Sequence, residues 1–389
     1  MCSGVIPYLL PLLSAFALYA IFIFAHNNGL IDALKETIAA GTLPETDERL
    51  NLSMTGVKPV DILLGQFIPF FYAVVDGSSP STMLHGAGFA GALGGMWALM
   101  MVEAFRQGNK SRLVAVPALF GMLAQLGTIG LIMPIYAAVH LLTSPTRSNP
   151  SQAAITIPAK SVTAIKLIPF SIIAGYFVPS LLMVLPETAY GFLDTKQERI
   201  AFWQSWPVYV AFIHFTATTA ANIFCSGSTS GKTNASATTK QARSALRQVY
   251  AFAFASTAIP HVATWTISLA STLVPMIFDI DIVPALHPSR VFLNTLPWSG
   301  ARVSSLGQGV LWFLQWDQLL GTAGTLLWAV SLYASAHQAR KVRVGCVGFV
   351  PKVAALCAVS GVAGAAVELM WERDELVLQA GEGEEKKRK

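Results

Sequence analysis

The chain has 389 residues, of which 53% are hydrophobic and 12% charged, whereas soluble domains carry about 25% charged residues. This imbalance excludes an ordinary soluble enzyme and indicates a protein that is solvated by lipid. The net charge of +5 is modest and lies in connecting segments, where Lys and Arg meet anionic lipid headgroups, so membrane lipids rather than nucleic acid are the expected partners.

Apolar runs of membrane-spanning length follow one another along the chain. A helix needs about 20 residues to cross roughly 30 Å of hydrocarbon. The second run is short, and the fourth and seventh are long enough to tilt or kink. The sequence predicts an all-α integral membrane protein, a single domain over 1–389 with a bundle of eight or nine transmembrane helices. The nine runs lie at about 5–25, 61–76, 83–104, 113–143, 163–186, 203–224, 249–278, 309–336 and 347–370.

The C-terminal segment 371–389 is predicted to be a charged tail. Its last four residues, Lys386 to Lys389, resemble a cytosolic dilysine signal for retrieval to the endoplasmic reticulum, and a merely solubilising tail is the alternative. In a nine-span topology the Lys and Arg residues divide almost equally between the two sides, with a slight excess on the C-terminal side. N-glycosylation sequons begin at Asn51, Asn109 and Asn234, and that topology places the first two opposite the third.

Several stretches resemble motifs whose chemistry we do not expect here. Gly231, Lys232 and Thr233 copy the end of a phosphate-binding loop, but the preceding glycine has the wrong spacing and no buried strand precedes it. Asp279 and Asp281 form only a D-x-D fragment. The sequence contains no D-D-x-x-D run for a magnesium-bound diphosphate, no H-E-x-x-H zinc helix and no C-x-x-C pair. We therefore expect neither a metal nor a cofactor.

Asp317 is the polar residue that most needs an explanation, because it lies well inside the run 309–336. A carboxylate near the centre of a lipid-facing helix costs roughly 2.5–3.5 kcal/mol, so it should face the bundle or a cavity. Steps of four, three and four residues lead from Asp317 to Gly321, Gly324 and Trp328, a face of small residues suited to close helix packing. No Lys or Arg occurs in this span, so the buried carboxyl is expected to retain a proton near neutral pH.

Other spans also carry inward-facing polar groups. His214 begins a polar stripe with an i, i+4, i+8 spacing on its span, and His261 is followed one turn later by Trp265. On the third span, His85 and Glu103 are five turns apart on one face. For each of these residues, a buried hydrogen bond that fixes the packing of the helices is the alternative to a functional role.

A protonated acid among aromatic rings suits the cyclisation of a lipophilic polyene. The acid would protonate an epoxide or an alkene, and aromatic faces would stabilise the carbocation without quenching it as water does. Asp317 is the predicted general acid, and Trp312, Phe313, Trp316 and Trp265 are the predicted substrate-binding wall. His214 and His261 are the candidate bases for the terminating deprotonation. A proton relay in a transporter would use the same acid.

Three stretches together resemble a group of fungal integral membrane proteins from indole-terpenoid and meroterpenoid clusters, some of which are terpene cyclases. They are IPFSIIAGYFVPSLLMVLP (168–186), KQERIAFWQSWPVYV (196–210) and FLQWDQLLGTAGTLLWA (313–329). The resemblance implies fungal secondary metabolism and metal-free cyclisation of a prenylated substrate. The alternatives are a metabolite exporter and a membrane scaffold on which pathway enzymes dock at 26–60 and 279–306.

Overall fold

A computed structural model describes residues 4–43, 46, 48–151, 155–187, 193–225 and 235–388. Within these ranges the regular structure is helical, apart from one isolated bridge between Thr42 and Arg49. The longer helices are α1 (Ile6–Asn27), α2 (Leu30–Ala40), α3 (Lys58–Val75), α4 (Pro80–Ala104), α5 (Pro117–Gly127), α6 (Ile129–Thr143), α7 (Val162–Val184), α8 (Lys196–Trp203), α9 (Trp206–Cys225), α10 (Ala235–Leu273), α11 (Leu306–Ala339) and α12 (Cys346–Arg388).

Shorter turns of helix join or interrupt these elements. Helix α1 contains a π-helical turn, Leu18–Ile23, and α7 contains another, Ile173–Phe177. The remaining short pieces are the α-helical turns Pro145–Ser148, Val283–Leu286 and Pro288–Val291 and the 3₁₀ turns Gln107–Asn109, Leu113–Ala115, Ala159–Ser161 and Pro275–Ile277.

Six of the described helices are long and apolar enough to cross a membrane, namely α1, α3, α4, α7, α11 and the Val347–Leu378 part of α12. The all-helical fold fits a membrane protein, but the predicted count of eight or nine spans is not confirmed. The predicted spans 203–224 and 249–278 correspond to α9 and α10, which are not among these six.

Hydrogen bonds gather the helix ends at two opposite faces of the bundle. At the first, which we call the Asn28 face, the N–H of Val303 donates to the carbonyl of Asn28 at 2.9 Å. The hydroxyl of Thr82 donates to the carbonyl of Gly307 at 2.9 Å, which brings the starts of α4 and α11 to this face. At the opposite end, the Arg106 face, the guanidinium of Arg106 donates to the carbonyl of Ile155 at 2.9 Å.

Helix α3 does not connect the two faces in the way that a simple span would. The end of α1 and the start of α4 both lie at the Asn28 face. The chain between them, which contains α3, therefore begins and ends on the same side of the bundle. Residues 51–53 and 55–57, just before α3, are exposed. The side chain of Gln197 donates to the carbonyl of Arg49 at 2.9 Å, and Nζ of the adjacent Lys196 donates to the carbonyl of Val75 at 3.1 Å. The segment before α3 and the end of α3 therefore lie together, at the Asn28 face.

Residues 113–143, predicted as one long span, form a helical hairpin. Helix α5 ends at Gly127, Thr128 has a positive φ of 67°, and α6 runs back beside α5. The rings of Phe120 and Tyr136 are 5.0 Å apart, and Arg112 donates to the carbonyl of Thr143. The hairpin therefore starts and ends at the Arg106 face, with its tip at Thr128 inside the bundle.

Helix α12 also doubles back. Gly361 has φ 72° and ψ 172°, which breaks the helix, and only glycine adopts a positive φ without strain. The ammonium of Lys352 binds the carboxylate of Glu372, although residues 20 positions apart in a straight helix are about 30 Å from each other. The predicted span 347–370 is thus part of a second hairpin, and the predicted tail 371–389 begins inside helical, buried structure with Arg373 and Asp374.

Candidate active site

Asp317 lies in α11 opposite the tip of the α5–α6 hairpin, and its side chain is only 6% exposed. Its Oδ1 accepts a hydrogen bond of 2.5 Å from the N–H of Gly130, the second residue of α6. The first N–H groups of a helix have no partner within the helix, and they carry partial positive charge. Asp317 supplies an acceptor to a helix that begins inside the bundle, and among the described residues no Lys or Arg forms an ion pair with it.

Glycines allow α6 to approach α11 this closely. A Cβ on Gly130 would lie 2.9 Å from both the carbonyl oxygen and the Oδ1 of Asp317. A Cβ on Gly324 would lie 2.8 Å from Pro134, and Gly321 faces Ile129. The face of small residues read from the sequence is therefore the surface of α11 against which the hairpin packs.

Three of the four predicted wall residues, Trp312, Phe313 and Trp316, form one aromatic group beside Asp317. Phe313 is one helical turn before Asp317 and lies between α1 and α3. The indole N–H of Trp316 donates to the carbonyl of Thr295 at 2.9 Å. The ring neighbours of the three residues, with centroids 5.1–5.9 Å away, are Phe16, Phe22, Phe24 and Phe70.

Trp265 and His261 belong to a different part of the fold. Trp265 stacks on Phe292, with ring centroids 4.1 Å apart. The Nε2 of His261 is 3.1 Å from the carbonyl of Ala358, so this nitrogen carries the hydrogen. Because α12 is broken at Gly361, the carbonyl of Ala358 is near the end of a helical segment and takes its hydrogen bond from this histidine.

His214 occupies a third location. Its side chain is buried, Nδ1 is 3.0 Å from the hydroxyl of Ser171, and its ring centroid is 5.3 Å from that of Phe105. The Nε2 atom has no hydrogen-bond partner among the described residues. No described hydrogen bond or ring contact joins His214, His261 and Asp317, so the structure does not assemble them into one cluster.

His85 and Gln315 form a polar pair that was not predicted as a site. His85 Nδ1 and Gln315 Nε2 are each 3.0 Å from the carbonyl oxygen of Val291, and both must therefore donate to it. His85 Nε2 and Gln315 Oε1 are left as buried acceptors without a partner in the described part of the chain. The pair can take hydrogen bonds from a water or from a bound hydroxyl.

A pocket of about 460 Å³ opens on the Asn28 face beside this pair. It is lined by residues from the end of α10 and from the segment 283–290, including Ser289 and Arg290. The carbonyl of Arg290 also accepts from Gln315 Nε2 at 2.9 Å, so one stretch of backbone separates the pocket from the buried pair. The pocket does not border Asp317, and we do not assign the chemistry to it.

A buried ionic cluster lies at the Arg106 face. Glu103 binds both Arg106 and Arg373, and Asp374 binds the same two arginines, with the side chains at most 3% exposed. Burial opposes the charge of Arg106, yet the Asp374 carboxylate holds the pKa of its guanidinium above the ordinary value. Every charge has a partner in this cluster, which therefore joins α4 to the second arm of the α12 hairpin.

His140 extends this cluster to the first hairpin. The indole N–H of Trp328 donates to His140 Nδ1 at 3.0 Å, so Nδ1 is unprotonated, and Nε2 donates to Glu103 at 3.1 Å. His140 is thus a neutral donor. The sequence indicates an inward position for Glu103, but its partner Arg373 lies in the segment 371–389 that is predicted to be a charged tail.

Among the described residues, no group of three or more His, Cys, Asp or Glu side chains could hold a metal ion. The phosphate-loop-like stretch from Gly231 to Thr233 lies outside the described residues, as do the sequon at Asn234 and the terminal Lys389.

Comparison with known proteins gives a consistent assignment. Residues 6–378 match the CtvD domain. The terpene cyclase ctvD of Aspergillus terreus is 34% identical over 95% of this chain and 98% of its own length. The terpene cyclase ascI of Acremonium egyptiacum is 31% identical over 99% of this chain and 94% of its own, and the terpene cyclase penA of Penicillium crustosum is 29% identical over 95% of each.

No solved structure matches the chain. The resemblance noted in the sequence, carried by three stretches between 168 and 329, extends through almost the whole length. With a family match over residues 6–378 and relatives aligned from end to end, this chain belongs to the CtvD family, whose similar members are fungal terpene cyclases.

Proposed function

We propose that this protein is a membrane-embedded terpene cyclase of fungal secondary metabolism. Asp317 donates the proton that starts cyclisation of a lipophilic, prenylated substrate at an epoxide or an alkene, without a metal. The observation that carries the proposal is the position of Asp317, a buried acid with no described ion-pair partner that lies one turn from Phe313 on an aromatic wall.

The reaction is an isomerisation that begins and ends with proton transfer. A proton from Asp317 passes to the epoxide oxygen, a carbon–oxygen bond breaks, and the carbocation is attacked in turn by alkenes of the same chain. Loss of one proton to a base ends the sequence, so substrate and product have the same atoms. Trp312, Phe313 and Trp316 present aromatic rings to the cationic intermediates, which such rings stabilise by about 0.5–2 kcal/mol or more each.

The hydrogen bond from Gly130 suits this role because it holds the acid in one orientation. Oδ1 of Asp317 is the acceptor, and Oδ2 is the oxygen that carries the transferable proton. Burial opposes ionisation, whereas the N-terminus of α6 stabilises the carboxylate that remains after transfer. Burial therefore favours the protonated acid before the transfer, and the N-terminus of α6 favours the carboxylate after it.

His214 and His261 remain the candidate bases. His214 Nε2 is buried and has no hydrogen-bond partner among the described residues, and His261, whose Nε2 donates to the carbonyl of Ala358, has Nδ1 as its basic nitrogen. Trp265 would extend the wall only if the substrate reaches the Phe292 side of the fold.

The location and partners follow from the same chemistry. A prenylated substrate partitions into lipid, and we place the enzyme in the membrane of the endoplasmic reticulum, where other pathway enzymes would supply and consume the intermediates. The alternatives are a metabolite exporter and a non-catalytic scaffold, and the cyclase names of the relatives favour the enzyme over both.

The test is product analysis with yeast membranes that contain the protein. Membranes receive a prenylated aromatic substrate with or without its terminal epoxide, and three forms are compared at matched abundance: wild type, Asp317→Asn and Asp281→Asn. Asp281 is an exposed acid on the Asn28 face, so its variant controls for loss of a carboxyl as such. We expect a cyclic product from wild type and Asp281→Asn, and none from Asp317→Asn. Equal product from Asp317→Asn would remove Asp317 from the acid role.

A further inference from the structure

The two hairpins change the topology that the sequence predicted. Helices α1, α4, α7, α10 and α11 run between the Asn28 face and the Arg106 face, and α8 and α9 together do the same, from Lys196 beside Val75 to His214 beside Phe105. Both hairpins enter from the Arg106 face and return to it. The start of α1 at Ile6 and the end of α12 at Arg388 then lie on the Arg106 side, since α1 runs toward the Asn28 face and α12 continues beyond Asp374.

Charge is distributed very unequally over these two faces. The described residues of segments 105–116, 144–161, 235–249 and 340–345 border the Arg106 face and contain eleven Lys or Arg and no Asp or Glu, and the end of α12, 371–388, adds four Lys or Arg and six Asp or Glu. The described residues of segments 28–57, 76–79, 185–195 and 274–305 border the Asn28 face and contain four Lys or Arg and eight Asp or Glu. A nine-span topology divides the Lys and Arg residues almost equally between the two sides of the membrane. The topology with two hairpins places most of them on one side.

Basic connecting segments remain on the cytosolic side of a membrane. Lys110, Lys240, Arg247, Lys341 and Arg343 are exposed on the Arg106 face, where they can meet anionic headgroups of the cytosolic leaflet. We propose that the Arg106 face is cytosolic, that the Asn28 face is lumenal, and that Asn51 on this lumenal face is an N-glycosylation site.

Asn51 has the local features of an acceptor. It begins the sequon Asn51-Leu52-Ser53, and all three residues are exposed. Its carbonyl Oδ1 accepts from the N–H of Ser53 at 3.0 Å, a turn formed within the sequon itself. The sequon at Asn109 differs on both counts, because Asn109 is fully buried, lies on the Arg106 face and donates to the Glu103 carbonyl at 2.9 Å.

The modification is a group transfer from a polyprenyl-diphosphate-linked oligosaccharide. The amide nitrogen of Asn51 forms a bond to the anomeric carbon of the sugar, the bond from that carbon to the diphosphate oxygen breaks, and the amide proton leaves with the diphosphate. The donor and the transferase face the lumen, so only a lumenal sequon is a substrate. The inference depends on the localisation to the endoplasmic reticulum proposed above and not on the role of Asp317.

The experiment expresses the full chain in yeast with an N-terminal tag that carries its own Asn-X-Thr acceptor and precedes α1 on the Arg106 side. Membranes are treated with endoglycosidase H and analysed by electrophoresis for wild type, Asn51→Gln and Ser53→Ala. Ser53→Ala keeps the asparagine and removes only the sequon. We expect one endoglycosidase-sensitive increase in mass in wild type, its loss in both variants, and no glycan on the tag.

Two results would overturn the proposal. A glycan on the tag together with an unmodified Asn51 would reverse the orientation. An unmodified protein throughout would remove the assignment of Asn51. Product analysis on the same membranes separates these failures from failure of the cyclase proposal, because Asn51→Gln is expected to retain the wild-type product yield.

Discussion

At the scale of single residues, Gly130 tests whether the hairpin tip positions the acid. In Gly130→Ala the added Cβ would lie 2.9 Å from two oxygens of Asp317, so the tip must move. Overpacking of this kind costs about 1–3 kcal/mol, and we expect a lower melting temperature in detergent together with loss of cyclic product. Gly127→Ala is the matched control, because the nearest atom to its Cβ is 3.5 Å away. Equal behaviour of the two variants would contradict the close contact.

The buried charges give a second prediction at this scale. Arg373→Met leaves Glu103 and Asp374 with one buried cation fewer, and breaking a buried pair costs about 3–5 kcal/mol. We expect a large drop in melting temperature in detergent, and a smaller drop for the partly exposed Glu375→Gln. A change in Arg373→Met no larger than in Glu375→Gln would show that the cluster contributes little.

The sequence indicates some of these residues but does not show which residues they bind through hydrogen bonds or ion pairs. Asp317 is conspicuous because it is an acid inside an apolar run without a neighbouring base. Its hydrogen-bond partner, Gly130, is 187 positions away and has no polar side chain that could reveal it. Arg373 and Asp374 look like the start of a charged tail, since nothing local shows that Glu103 and Arg106 balance their charges.

At the scale of elements, cross-linking between the two arms of α12 tests whether this helix forms a hairpin. Cysteines placed by Lys352→Cys and Glu372→Cys, in a chain without its native cysteines, are expected to be joined by a short bismaleimide. The product is detected as a single fragment after proteolytic cleavage near Gly361. In a straight helix the two positions would be about 30 Å apart and would not react, so two separate fragments would refute the hairpin. Each single-cysteine variant is the control.

Periodicity and hydropathy do not distinguish a hairpin from a span of the same apolar length. Residues 113–143 are apolar throughout, and the break depends on one residue, Thr128, with an unusual φ of 67°. Gly361 is likewise a single glycine in a run that contains others. The helical class follows from composition, whereas the number of crossings depends on such single positions, which is why it was not predictable.

At the scale of the whole molecule, the fold predicts how the protein is held in membranes. The apolar helices should keep it in the pellet after extraction with alkaline carbonate, which releases proteins bound only by charge. A soluble pathway enzyme and a known integral protein of the same membranes are the two controls. Release into the supernatant would contradict the membrane proposal, whatever the product analysis shows.

The hairpin formed by α5 and α6 makes the surroundings of the acid depend on a whole segment. Its two arms are anchored near Arg112 and Thr143, so one residue inserted into both arms would advance the tip by about 1.5 Å. The partial positive charge at the start of α6 would move with it, while Asp317 stays fixed in α11. A change in the length of this hairpin alone would therefore alter the distance between Asp317 and the N–H groups that start α6, without any substitution in α11.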